Sequence, residues 1–379
     1  IWIPGKSWTE RREAFGRHTA EITVKEGAAP SESYIWQFTL LEKSPAVAQG
    51  KKLGDFGRLF ADVKQYGLSG GNSLELLTGG TYSGFSGRWR YSANLLTSSL
   101  ENKRAQSRNL YSAQFGYGRI ADLRFGDTRP EMGSLLLSGQ NVRGFQATTR
   151  AFLPSGYNLV NLDFAYGQTR RAIDPTLRDS SWIFGVYSRN VMAGRLSFGS
   201  AESFQVGVGF LKGKDDTLSI TQPRDSTKID THYVYRTGLT PQDNLVLGAD
   251  LSASFWRRRL ELFGGYAFSM LTRNILGGAL SKEEVKSLSA DISIDPGSFS
   301  NFIIFNTSTT FPASGTGFLN SSAYQTGLRL RAPSRSFTAS GEFKYELFGA
   351  NYFSMGAPLL GSPRAGMSSF STSMLAVGN

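Results

Sequence analysis

From about Tyr82 onward the chain alternates apolar and polar positions with period two, the signature of strands with one dry and one wet face. Over residues 83–99 one face reads Phe85, Gly87, Trp89, Tyr91, Ala93 and Leu95. The other reads Gly84, Ser86, Arg88, Arg90, Ser92 and Asn94. Residues 158–166 set Val160, Leu162, Phe164 and Tyr166 against Leu159, Asn161, Asp163 and Ala165. In residues 337–347 the split is cleaner, with Phe337, Ala339, Phe343, Tyr345 and Leu347 opposite Thr338, Ser340, Glu342, Lys344 and Glu346. A soluble two-sheet sandwich also alternates, so period alone does not decide. Length does more: these runs reach about 10–14 residues, where globular strands average about 5–6.

The pattern predicts strands at 82–98, 109–120, 142–153, 157–170, 181–190, 203–213, 244–256, 259–270, 286–295, 301–311, 321–331, 335–348 and 364–376. Links after 153, 256, 295 and 331 are short, such as Pro154-Ser155-Gly156 and Ala332-Pro333-Ser334. Those after 170, 213, 270 and 311 are long and polar, and the one after 190 is intermediate. Short turns at one rim and long loops at the other are the rhythm of a transmembrane barrel. The expected fold is therefore all-β, a transmembrane antiparallel β-barrel with about 12–16 strands, with scope to be part of a larger barrel.

Residues 1–81 read differently. Short alternating runs begin at His18 and Tyr34, separated by Gly27-Ala28-Ala29-Pro30, and residues 51–65 are less apolar than the later runs. Two readings stand for 1–81, a small periplasmic β-domain or irregular first strands, with the barrel over 82–379. The abrupt start at Ile1-Trp2-Ile3-Pro4 and an end without a terminal aromatic strand lead us to expect further chain on either side.

Composition changes the picture little but agrees with it. Aromatic residues make up 13% and glycines number 43, a mixture suited to long strands and tight corners. No run of about 18 apolar residues occurs, which excludes a transmembrane helix. A mean hydropathy of −0.24 is no argument for solubility, because a barrel alternates lipid-facing and lumen-facing residues. The net charge of +11 comes from scattered residues without a nucleic-acid motif, so nucleic acid is not an expected partner.

The alternation, the turn and loop rhythm and the aromatic positions resemble Gram-negative outer-membrane β-barrels over about residues 82–376. A narrower similarity lies in Phe125-Gly126-Asp127-Thr128, Leu135-Leu136-Leu137-Ser138-Gly139 and Val142-Arg143-Gly144. With Tyr352-Phe353-Ser354-Met355-Gly356-Ala357-Pro358, these resemble segments of large, poorly characterised barrels of that kind. The resemblance implies residence in the bacterial outer membrane and contact with its lipid and lipopolysaccharide. Other envelope proteins are candidate partners, and no activity is implied.

Candidate chemistry is sparse. There is no cysteine, and the two histidines are His18 and His232; a hydrolase would need one of them beside a nucleophile, and a solvated histidine is the simpler reading. No phosphate loop, metal-ligand cluster or cofactor site is evident, and the alternate glycines Gly207 and Gly209 suit close packing. Predicted lumen-facing charges are Arg88, Arg90, Arg150, Asp163, Asp250, Asp291, Arg329, Arg331, Glu342, Lys344 and Glu346. They would either screen solutes or pair with one another across strands, and their mixed signs favour pairing. Trp89, Tyr111, Tyr117, Tyr166, Trp182, Trp256 and Tyr345 are candidates for the interfacial aromatic belts, and Arg257, Arg258 and Arg259 beside Trp256 suit anionic headgroups. The leading expectation is a non-enzymatic pore or translocation channel. A structural or anchoring barrel is the alternative, to be distinguished by an open lumen or an inward-folded loop.

Overall fold

The computed structural model of the protein describes residues 16–24, 32–40, 55–68, 71–153, 158–178, 181–183, 185–200, 203–220, 240–256, 259–281, 283–284, 302–310, 319–333, 337–358 and 364–376. The chain divides into two units, Ile1–Phe56 and Gly57–Asn379. In the first, β1 (Gly16–Val24) pairs antiparallel with β2 (Glu32–Leu40), from Gly16 opposite Leu40 to Val24 opposite Glu32. Residues 57–81 stand with the second unit, because they carry two strands of its sheet.

That sheet starts with β3 (Phe56–Leu68), β4 (Gly71–Ser86), β5 (Trp89–Ser98), β6 (Leu110–Tyr117) and β7 (Ala121–Thr128). It continues through β8 (Val142–Phe152), β9 (Asn158–Arg170), β12 (Ser188–Gly199), β13 (Phe204–Asp216) and β14 (Asp243–Phe255). β15 (Leu260–Thr272), β17 (Ser322–Pro333), β18 (Phe337–Phe348) and β19 (Arg364–Ala376) complete it. The order in space is the order in sequence, with β3 and β19 as the end strands. The pairings from β4 to β19 are antiparallel throughout. β10 (Thr176–Arg178) and β11 (Ser181–Ile183) form a small hairpin of their own, and β16 (Thr309–Thr310) adds two residues beside β15.

Connections alternate without exception after β4. Residues 87–88, 118–120, 153–157, 200–203, 256–259 and 334–336 make one rim of short links. The other rim carries 99–109, 129–141, 171–187, 217–242, 273–321 and 349–363. Gly87 and Gly118 take φ of 61° and 54° in the first two short turns, a conformation open to glycine at no steric cost.

Several sequence expectations change here. The alternation over 83–99 is a hairpin, the end of β4 and the whole of β5, and Arg88 lies in its turn. A two-residue turn leaves an alternating pattern that reads as one strand. The predicted strand 181–190 is β11 and the beginning of β12, so the link after β12 is short after all. Among the described residues of 301–311, only Thr309 and Thr310 pair with β15; Ile303 is buried, and the Ile304 N–H donates to Asp243, so residues 302–310 cap strand ends instead of extending the ladder. The predicted strand 286–295 lies outside the described residues. β7, with charges at three of its eight positions, was not anticipated.

Parity separates the two faces. The outer face carries Phe115, Phe125, Leu162, Phe198, Val208, Leu247, Leu251 and Leu330, with Leu247 and Leu251 each 48% exposed and Leu330 52%. A contiguous apolar surface of this extent is foreign to a water-soluble monomer and natural against hydrocarbon. Strands of 12–13 residues exceed the roughly 9–11 needed for a tilted crossing. Among the described residues no helix is long and apolar enough to cross a membrane.

Candidate functional site

The inner face divides into two zones. Over β9 to β18 the residues Ala165, Val191, Ala193, Leu211, Val246, Ala267 and Ala323 are at most 1% exposed. Two loops from the long-loop rim cover them, residues 129–141 after β7 and 349–358 after β18. Met132, Leu135, Leu136 and Leu137 come from the first, and Tyr352 and Met355 from the second. Full burial of each leucine contributes about 2 kcal/mol.

Glycines on the strands make the room. A Cβ at Gly209 would stand 2.8 Å from Leu136 Cδ1, and one at Gly213 would stand 2.6 Å from Met355 Sδ. Polar bonds fix the register of the two loops. The Tyr352 hydroxyl donates to Leu135 O at 2.6 Å, Ser354 Oγ donates to Leu136 O at 2.7 Å, and Ser138 N–H donates to Gly356 O at 3.0 Å. Asn244, fully buried on β14, ties the second loop to the wall. Its Nδ2 donates to Phe353 O at 3.1 Å, and its Oδ1 accepts the Met355 N–H at 3.0 Å.

Over β5 to β8 the inner face is polar and reached by solvent. It presents Arg90, Ser92 and Asn94, then Ser112 and Gln114, then Asp122 and Arg124, then Gln146, Thr148 and Arg150. Of these, Arg90, Asn94 and Arg124 are exposed and Thr148 is buried. Among the described residues the zone has no apolar cover comparable to the two loops over β9 to β18.

The charges of the inner wall are mostly paired. Asp122 accepts from Arg90 at 3.0 Å and from Arg150 at 3.2 Å. Arg195 grips Asp250 with two bonds of 3.0 and 2.6 Å. Both sets reach across a glycine strand: a Cβ at Gly116 would meet the Arg90–Asp122 pair, and one at Gly207 would meet the Arg195–Asp250 pair. Arg329 donates to Glu342 at 2.9 and 2.7 Å and to Glu261 at 3.1 Å, with its guanidinium over the Phe263 ring. Lys344 pairs with Glu346 at 2.5 Å, and Asp163 accepts the Thr148 hydroxyl at 2.7 Å. At the long-loop rim, fully buried Asp215 gathers Arg189 at 2.7 Å, Arg170 at 3.2 Å and the Gln242 N–H at 3.0 Å.

Of the charges predicted from sequence, Arg90, Arg150, Asp163, Asp250, Arg329, Glu342, Lys344 and Glu346 stand in these contacts. Arg331 shares the face of Arg329 and is exposed, Arg88 is in a turn, and Asp291 lies outside the described residues. Asp122, Arg195 and Glu261 are not evident in the sequence pattern: β7 is short and diluted by charge, β12 runs beyond the predicted 181–190, and the alternation of β15 does not single out Glu261. The two loops were visible as apolar segments, Leu135 to Leu137 and Tyr352 to Pro358, between glycine-rich flanks. An apolar loop has to be covered by something, and that was the signal.

The aromatic candidates fall at two levels of the outer face. Trp89 and Tyr117, with ring centroids 4.9 Å apart, lie near the short-turn rim. Tyr111, Tyr166 and Tyr345 lie toward the long-loop rim. Tyr111 and Tyr117 sit six residues apart on β6, about 20 Å along a strand. Trp256 occupies the turn after β14 with φ of 49° and is 74% exposed. Trp182 belongs to β11 of the loop hairpin and not to the main sheet; its side chain, Arg257 and Arg258 lie outside the described residues.

Outside the membrane-spanning strands, the loop at 99–109 is organised by Glu101. Its carboxylate accepts the N–H groups of Asn109 and Arg108 at 2.9 and 2.6 Å and pairs with Arg171 at 2.7 Å. Those backbone bonds, with help from Arg171, pull its pKa down to about 2. Among the described residues, no group of three or more histidines and carboxylates could hold a metal ion.

No protein-family model matches the chain, and no curated protein matches it in sequence. Solved structures similar to it include in-vitro folded OmpT in its trimer form, an outer membrane protein of Vibrio cholerae. That likeness has 7% identity and a TM-score of 0.32, and covers 85% of this chain and 98% of that one. A porin refined at 1.8 Å is similar at 12% identity and a TM-score of 0.29, over 77% of this chain and 82% of that one. The outer membrane protein OprD from Pseudomonas aeruginosa is similar at 12% identity and a TM-score of 0.25, over 80% and 74%. Identities and scores are low, and the assignment rests on the sheet itself. Long antiparallel strands, an apolar outer face and a charged inner face make this an all-β protein with the membrane-spanning sheet of an outer-membrane-type β-barrel.

Proposed function

We propose that the chain is a non-enzymatic channel of the outer membrane, a pore or translocation path narrowed on one side by its own loops. The observation that carries this reading is the polar, solvent-reached inner wall of β5 to β8 behind an apolar outer face. Such a wall is stable beside water and costly in a dry core, where each unpaired amide loses about 1–3 kcal/mol. Outer-membrane lipid, lipopolysaccharide included, is the partner of the outer face, with tyrosine and tryptophan setting the depth. A channel of this kind needs no catalytic group, and the chain offers no cysteine and two histidines.

The alternative, a barrel that anchors an envelope assembly, is favoured by one observation: the loops at 129–141 and 349–358 fill the inner face over β9 to β18. Single-channel recording of the purified protein in a planar bilayer separates the two. Discrete conductance steps support the channel; no conductance at any voltage removes it and leaves the anchor.

A further inference from the structure

The charge on the solvent-reached wall is one-sided. Among β5 to β8 the inner face carries Arg90, Arg124 and Arg150 against one carboxylate, Asp122, a formal +2. Asp127, the other acid of these strands, points to the opposite face and is held by Arg143 at 2.8 Å. Asp122 is itself divided between Arg90 and Arg150. Arg124, one step further from the short-turn rim on the same face of β7, makes no ion pair among the described residues and is exposed. Its cross-strand neighbours are Gln114 and Gln146, whose amides can donate N–H groups to an anion beside the guanidinium.

The loop-packed side is balanced instead. Arg195, Arg329, Arg331 and Lys344, with Arg170 and Arg189 at the long-loop rim, face Asp163, Asp250, Glu261, Glu342 and Glu346 with Asp215 at that rim, six cations against six carboxylates. All six carboxylates there are engaged in ion pairs or a hydroxyl bond. Among the described residues, the cation of the polar zone left open to a passing solute is therefore Arg124.

We propose that the wall formed by β5 to β8 makes this a channel for small anionic solutes, with Arg124 setting the preference. The proposal rests on the channel reading above and specifies its solute class. A fixed positive wall in a bore with low-dielectric surroundings raises the local concentration of anions and lowers that of cations. The preference should weaken as salt rises, because screening shortens to a few ångströms near molar ionic strength.

The test is the zero-current potential of the full chain in a planar bilayer between unequal KCl solutions. Potassium and chloride diffuse at nearly equal rates, so the sign reports selectivity directly. The expected result is a chloride-preferring potential that Arg124→Gln reduces, Arg124→Glu abolishes or reverses, and Arg124→Lys retains. Should Arg124→Glu fail to insert, Arg124→Gln carries the same test. A channel that conducts but prefers potassium, or whose permeability ratio ignores these substitutions, overturns the anion proposal and leaves the channel standing. A protein that never conducts overturns both.

Discussion

Two zones of one inner wall, built from the same antiparallel ladder, solve different problems. Over β12 to β15 the strands present Val191, Ala193, Leu211, Val246 and Ala267, with glycines between them, and the chain folds its own loops onto that surface. Over β5 to β8 they present Arg90, Asn94, Gln114, Arg124 and Gln146, of which Arg90, Asn94 and Arg124 are exposed, and no apolar loop among the described residues packs onto them. Strand geometry is common to both. What differs is whether the inward positions are small and apolar, which invites packing, or long and polar, which resists it. The loop-packed zone should therefore be sensitive to volume, and the polar zone to charge.

The largest effect is expected at the loop itself. Leu136→Ala removes a buried side chain that sits in the niche of Gly209 and Gly248, and should cost about 3 kcal/mol. Thermal unfolding in detergent would record it. Gly356→Val attacks the same interface by overpacking: its Cβ would lie 2.6 Å from Leu136 O and against Leu211. A loss of about 2–3 kcal/mol is expected, with protease cutting within 349–358 as the local readout. Asn244→Ala removes the side-chain bonds to Phe353 O and the Met355 N–H and should cost about 2 kcal/mol, again with cutting confined to that loop.

On the polar wall, Arg150→Ala should change stability by under about 1 kcal/mol, since its pair with Asp122 is partly solvent-screened. A loss as large as that of Leu136→Ala would erase the distinction between the zones. The smallest effect is at the rim of the polar zone. Glu101 has its pKa lowered to about 2 in the folded loop against an ordinary value of 4.5. The order it lends to 99–109 is therefore complete above about pH 4.5 and is lost as pH falls toward 2. Pepsin cleavage within 99–109 should stay slow near pH 4.5 and quicken below, and Glu101→Gln should already show the fast cleavage near pH 4.5.

Much of the fold was legible because a strand with two unlike faces writes its period into the sequence. The runs around Val160, Leu247, Phe343 and their neighbours lie within a residue or two of the strands predicted there. β7 escaped because Asp122, Arg124 and Asp127 dilute its pattern in a strand of eight residues. The hairpin at Gly87 escaped because a two-residue turn does not interrupt alternation. Parity placed Arg90, Arg150, Asp250 and Arg329 on the inner face, yet their partners are non-local. Arg195 reaches Asp250 over Gly207, 55 residues apart in sequence. No periodicity reports such a pair. The two loops carried their own clue in being apolar, but nothing local says which wall they cover.

The division of the inner wall can be tested directly, because the chain has no cysteine to interfere. Single cysteines at Gln114→Cys and Asn94→Cys on the polar wall, Ala193→Cys and Val246→Cys under the loops, and Leu247→Cys on the outer face would be exposed to a charged, membrane-impermeant thiol reagent in reconstituted bilayers. The account predicts modification at 114 and 94 from the aqueous bore, with 193, 246 and 247 left unmodified. Modification of 193 and 246 as fast as 114 would contradict the loop-packed zone, and modification of 247 would contradict the lipid-facing outer surface on which the whole account rests.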